Sequence, residues 1–189
     1  IAEVYAADAY TMVNGGFGAR SLEDPRTGPT EWFNFTSEEF HLEPEEQIVH
    51  TVTLDVPENV EPGEHIASLV IQNQKPTRMS TDDTAIQLNQ VSRHAIPVVV
   101  NIEGPTEPGL EIGDAEHRES GPNSAVWIEV SNPGNVAVRP GTGEFRLEDE
   151  TGFEMFRRDV SMDVVYGGHN THFAINFGER LEPGDYYVW

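Results

Sequence analysis

The stretch Ile96-Pro97-Val98-Val99-Val100-Asn101-Ile102, followed by Glu103-Gly104-Pro105-Thr106-Glu107-Pro108-Gly109, decides both how the chain folds and where it divides. Ile96, Val98, Val100 and Ile102 recur every second residue, so they line one face of a β-strand. Pro97 has no amide hydrogen to give to a ladder, so this strand belongs at a sheet edge or carries a bulge. The seven residues from Glu103 to Gly109 hold two prolines and two glycines. Such a run cannot continue a ladder and reads as a short, semi-rigid linker.

Working back from that linker, the same period recurs. His65-Ile66-Ala67-Ser68-Leu69-Val70-Ile71 is apolar on both faces, as a central strand is. Ile48, His50, Val52, Leu54 and Val56 alternate with Gln47, Thr51, Thr53 and Asp55, and Pro57 stops the run. Ile1–Tyr5 reads as a strand, and shorter segments fall at Tyr10–Val13, Glu31–Phe35 and Phe40–Leu42. Beyond the linker, Val126, Ile128 and Val130 alternate around Trp127 and Glu129, and Ser131–Asn135 is a turn cluster. Phe145 and Leu147 flank Arg146; Phe173, Ile175 and Phe177 share a face; Tyr186–Trp189 begins another strand. No stretch keeps a 3.6-residue stripe. Short strands about ten residues apart, separated by turn signals, predict an all-β fold of two tandem immunoglobulin-like β-sandwich domains, 1–104 and 105–189. The second sandwich is expected to be truncated at its C-terminal end, because the chain stops inside a strand. An open edge of that kind is where a partner could add a strand.

Composition narrows the function. The 189 residues carry 33 acidic side chains against 11 basic ones, a formal charge of −22, and acid dominates both halves. Such a surface cannot displace the counterions around phosphates, which excludes nucleic acid as a partner, and it disfavours anionic membranes. No apolar run of eighteen residues occurs, so no membrane span is expected in this fragment. Cysteine is absent, which removes disulfides, zinc thiolates and thiol nucleophiles. The start at Ile1, already inside a strand, is expected of a mature or internally cut piece of an exported protein.

Catalysis finds no foothold. G-x-S-x-G, H-E-x-x-H, a P-loop and G-x-G-x-x-G are all missing. Glu38-Glu39, Glu45-Glu46 and Asp82-Asp83 are sequence neighbours, and neighbours on a strand point to opposite faces, so they make poor acid–base pairs. The chain is therefore read as no enzyme, with no catalytic residues, no resident metal and no cofactor. Calcium is the one ion weighed: Ser80–Thr84 offers hard oxygen ligands without the spaced acidic pattern of a dedicated loop. His169 and His172 stand three apart with no third ligand nearby in sequence, and His50 on an apolar face reads as a partly buried, hydrogen-bonded histidine. Tyr10, Phe17, Trp32 and Phe33 are the candidate binding residues, since clustered aromatic faces stack on sugar rings; the alternative is that they are core.

Val4–Tyr10, Gly15-Gly16-Phe17, Glu31-Trp32-Phe33, Leu42–Glu46, Val56-Pro57 and Pro62–Ile66 together resemble, in order and spacing, the WxL-protein peptidoglycan-binding domain family of Gram-positive surface proteins. Residues 105–189 are similar only to general Ig-like modules. The resemblance implies a cell-surface location, with an anchor outside this fragment, and a cell-wall glycan or a neighbouring envelope protein as partner. The expected role is non-catalytic adhesion or scaffolding. Two alternatives stand beside it: a structural subunit of a pilus or surface layer joined by strand addition, and accessory domains of a larger exported hydrolase.

Overall fold

A computed structural model of the chain describes residues 1–73, 77–79, 88–178 and 180–189. Among these the fold is all-β: antiparallel sheets, one 3-10 turn at Gly28–Trp32 and no α-helix. No helix among the described residues is long and apolar enough to cross a membrane. The chain forms two compact units. One comprises Ile1–Ala9, Gly18–Glu61 and His65–Ile102; the other comprises Tyr10–Phe17, Pro62–Glu64 and Glu103–Trp189.

In the first half of the chain the strands are β1 (Ala2–Thr11), β2 (Phe17–Ala19), β3 (Ser37–Phe40), β4 (Gly63–Asn73), β5 (Thr77–Met79), β6 (Leu88–Gln90) and β7 (Arg93–Ile102). The main sheet runs β2-β1-β4-β7, with β3 also on β1, while β5 and β6 pair separately. β1 lies against β4 from Ala2↔Asn73 to Asp8↔Ala67 and against β3 from Ala2↔Phe40 to Tyr5↔Ser37. Alternation along β1 and β4 buries both faces. Tyr5, Ala7 and Val70 meet Ala19 and Leu22 on one side. Ala6, Ala67 and Phe33 meet Phe35, Val52, Leu54 and Val98 on the other. Full burial of a side chain such as Val70 contributes roughly 1.5–3 kcal/mol. β7 is the last strand of this order, so Pro97 sits where a missing amide donor costs least.

The second unit has the layered form of a sandwich. Its strands are β8 (Glu111–Ser120), β9 (Asn123–Ser131), β10 (Gly141–Asp149), β11 (Glu154–Met162), β12 (Asn170–Asn176) and β13 (Tyr186–Val188). They form two three-stranded sheets, β12-β9-β8 and β11-β10-β13. Val126 and Ile175 from one sheet and Phe145 and Leu147 from the other make the buried centre, with Ile128, Phe156, Phe173 and Phe177 packed around it. Edge-on ring contacts, such as Phe156–Phe177 at 5.2 Å, help to fix that packing.

Asn132 organises the loops of this unit. Only 1% exposed, it donates from Nδ2 to the carbonyls of Val136 at 2.8 Å and Val165 at 2.9 Å, and accepts from the Gly134 amide at 3.0 Å. Asn135 Nδ2 donates to Pro62 O at 2.8 Å and Pro105 O at 3.0 Å, and Asn135 Oδ1 accepts from the Glu107 amide at 2.7 Å. The turn at Asn14-Gly15-Gly16 is held against β12: the Asn14 amide donates to His172 O at 2.9 Å, and the Ala174 amide donates to Asn14 Oδ1 at 2.7 Å.

Four strand expectations need correction. Gln47–Val56 is not a ladder strand; among the described residues it forms one isolated bridge, Leu54↔Phe33. His50, Val52 and Leu54 still face inward, and among the described residues two backbone bonds, Asn34 N–H to Thr53 O at 3.2 Å and Asp55 N–H to Trp32 O at 2.7 Å, tie the segment down. Alternation there records one-sided burial, which needs no continuous ladder. Glu31–Phe35 begins in the 3-10 turn, which Pro29 starts at an early position where its missing amide is harmless. The strand near Phe40 runs backward from it, Ser37–Phe40, rather than on to Leu42; β1 likewise ends at Thr11, and Met12–Val13 enters the turn.

Candidate functional site

The four aromatic candidates divide between the two units. Trp32 and Phe33 belong to the first, Tyr10 and Phe17 to the second. Phe33 is 3% exposed and sits in the core beside Phe35, ring centres 6.0 Å apart. Trp32 is 9% exposed and tilts against His65 at 5.3 Å. Neither ring offers the open face that stacking on a sugar requires, because both are buried. Tyr10 and Phe17 are half-buried.

The histidines take separate partners. His169 Nδ1 lies 3.2 Å from the buried Thr11 hydroxyl, and burial holds the ring below the usual histidine pKa. His172 lies on β12 with its ring 5.6 Å from Trp127, over which the Arg118 guanidinium stacks at 4.4 Å. His50 is partly buried between Phe35 and Phe40, its Nδ1 3.6 Å from the Glu38 carboxylate. Among the described residues, no group of three His, Asp or Glu side chains is placed to hold a metal. Ser80–Thr84 and Asp82-Asp83 lie outside the described residues.

The feature best shaped to receive something lies inside the second unit. Between its two sheets opens a groove of about 410 Å³, within the range of ligand-binding pockets. Ile128, Val130, Phe145 and Phe173 line its interior; Leu110, Ile112 and Trp189 stand at its rim. Ile112 is 74% exposed and Trp189 65%, which leaves apolar surface in water at a sheet edge.

The two sides of β10 are paired over different lengths. β11 pairs with β10 along its whole length, from Gly141↔Met162 to Glu148↔Glu154. β13 pairs only with Leu147–Asp149, extended by Arg146 and Trp189, which exchange backbone bonds of 3.0 and 2.9 Å. Ladder bonds on one edge come from alternate residues. Arg146 points its backbone toward β13, so Glu144 and Thr142 point theirs the same way. Among the described strands none lies against them. Gly143, between the two, faces the groove, and a Cβ placed on it would have nothing within 4 Å.

Sequence reading did not find the groove; the available signal was the short spacing of Gly141 and Gly143 at the start of an otherwise well-patterned strand. No protein-family model matches the chain, and no match was found among curated proteins or solved structures.

Proposed function

We propose that this chain is a non-catalytic binding module of an exported, surface-located protein, that its two units are immunoglobulin-like sandwiches, and that it engages a neighbouring envelope protein by surface complementarity. The observation that carries the reading is the net charge of −22 together with the burial of Trp32 and Phe33, which favour a protein partner over an anionic wall polymer. The two facing sheets of the second unit support the sandwich assignment. Adhesion and scaffolding need nothing more than such complementarity. A sugar partner is less well supported, since Trp32 and Phe33 are occupied in the core.

The test sets the two partner classes against each other. The chain is offered to a display library of random dodecapeptides, and separately sedimented with purified peptidoglycan with and without calcium. Enrichment of peptides that compete with one another for one site, with no sedimentation above a blank, is expected. Retention on peptidoglycan with no peptide enrichment overturns the reading.

A further inference from the structure

On one side of the second unit the edge of β11 faces the edge of β12, and a small polar cavity of about 280 Å³ opens between them. We propose that this cavity binds a carboxylate group, held by the Arg158 guanidinium and by the backbone amide of Asn176.

Arg158 is the exception among the arginines of this unit. Arg118, Arg139, Arg146, Arg157 and Arg180 each sit on a carboxylate. Arg158 is exposed, and no hydrogen bond, ion pair or ring contact joins it to another described residue. The chain has 33 acidic side chains against 11 basic ones, so an arginine left without a carboxylate keeps its whole planar fork of donors to offer. The ladder sets its direction. Arg158 lies opposite Phe145, a core residue, so it leaves β11 on the inward face. At this edge strand its long side chain runs outward and lines the cavity.

The opposite wall supplies a backbone donor. β12 pairs with β9 on one side only, and the Phe177 amide donates toward β9, to Ser124 O at 3.0 Å. Ladder bonds alternate along a strand, so the amides of Ala174 and Asn176 point away from β9. The Ala174 amide is taken by Asn14 Oδ1 at 2.7 Å. The Asn176 amide has no partner among the described residues and stands in the cavity wall.

Asp159 and Ser161 also line the cavity. Successive residues of a strand face opposite sides, so the Asp159 carboxylate lies with Glu144 on the outer face, across β11 from Arg158. That placement leaves the donors open and limits the charge they accept. A carboxylate offers two coplanar oxygens that match the guanidinium fork. A phosphate dianion brings a second negative charge toward Asp159 and Glu144, and like charges brought together are costly.

The experiment titrates the isotopically labelled 189-residue chain with sodium acetate, inorganic phosphate, a capped tripeptide with aspartate between two glycines, and its asparagine counterpart. Ionic strength is held constant with sodium chloride, and NMR follows backbone amides and arginine side chains. Acetate and the aspartate peptide are expected to shift the Asn176 amide and the Arg158 Nε resonance saturably, with affinity on the order of millimolar. The asparagine peptide should leave both in place. Arg158→Gln should weaken acetate at least about fivefold, and Arg158→Lys, which keeps the charge without the fork, should fall between. Neither variant should move the urea midpoint, since the side chain holds nothing in the fold. Tighter binding of the aspartate peptide than of acetate upholds the site and makes its source a protein side chain; the reverse order upholds it and makes the source a small acid. No saturable shift, an unchanged acetate affinity in Arg158→Gln, a lowered urea midpoint, or phosphate bound more tightly than acetate overturns the proposal.

Discussion

Replacing Asn132 by alanine should destabilise the second unit by about 2–4 kcal/mol, far more than its small size suggests. The side chain is 1% exposed and makes three hydrogen bonds, two donated to the carbonyls of Val136 and Val165 and one accepted from the Gly134 amide. A net hydrogen bond is worth about 1 kcal/mol, and a buried group left without a partner costs roughly 1–3 kcal/mol more. Val165 O keeps a second donor, the Val138 amide at 2.9 Å, so its loss counts little. Val136 O loses the Asn132 amide donor and carries most of the cost. Asn132→Asp separates packing from hydrogen bonding: the carboxylate can still accept from Gly134 but cannot donate, and its oxygens would then face two carbonyls. It should be at least as destabilised as alanine at neutral pH. The measurement is urea denaturation followed by near-ultraviolet circular dichroism and tryptophan fluorescence, with Trp127 and Trp189 reporting this unit and Trp32 the other. A loss below about 0.5 kcal/mol, the ordinary size of a neutral surface change, or an aspartate variant more stable than alanine, would refute the reasoning.

Three further outcomes are expected. Burial lowers the His169 pKa in the folded state, so the unfolded chain binds this proton more readily; the stability tied to it is complete above about pH 6.5, the unfolded value, and falls as pH drops below it. His169→Gln should flatten that part of the stability–pH curve relative to wild type, and an unchanged curve would count against the assignment. Gly15 has φ +85°, and a Cβ on it would lie 2.5 Å from Asp163 O; Gly15→Ala should cost more than about 1 kcal/mol in a thermal melt, and a neutral result would mean the turn adapts. Trp32→Ala should cost about 3–5 kcal/mol as an emptied core site, read by urea denaturation, and an intact unfolding midpoint would show that the ring is dispensable to the first unit.

How far the sequence revealed this molecule depends on what each strand buries. Strands with an apolar face were plain: Val126 and Ile128 in β9, Phe145 and Leu147 in β10, Phe173 and Ile175 in β12 all point into one core. β8 and β11 were not read as strands, because Glu111–Ser120 and Glu154–Met162 are crowded with charge. Their partners explain how they hold: Arg118 pairs with Glu116 at 2.8 Å, and Arg157 with Glu144 and Glu154, on faces turned to water. Backbone pairing with β9 and β10 does the rest, and a sequence pattern does not display it. Nothing in Glu31-Trp32-Phe33 distinguishes a ring that closes a core from one that waits for a sugar, and the burial of Trp32 and Phe33 beside the 3-10 turn was not legible there.

Gly143 tests what a glycine inside β10 contributes to the fold. Other glycines of this unit have reasons within the fold: a Cβ on Gly167 would lie 2.8 Å from Val136 N, and one on Gly134 would meet Glu107 O. Gly143 has no such neighbour within 4 Å and no left-handed backbone, yet it stands inside a strand opposite Val160. A glycine there costs roughly 0.5–1 kcal/mol relative to alanine in backbone entropy, and it forgoes a cross-strand contact with Val160. Gly143→Val should therefore stabilise the free chain, by about 0.5–1 kcal/mol, through a higher urea midpoint at unchanged slope. If Gly143→Val destabilises the chain, the glycine serves the fold itself.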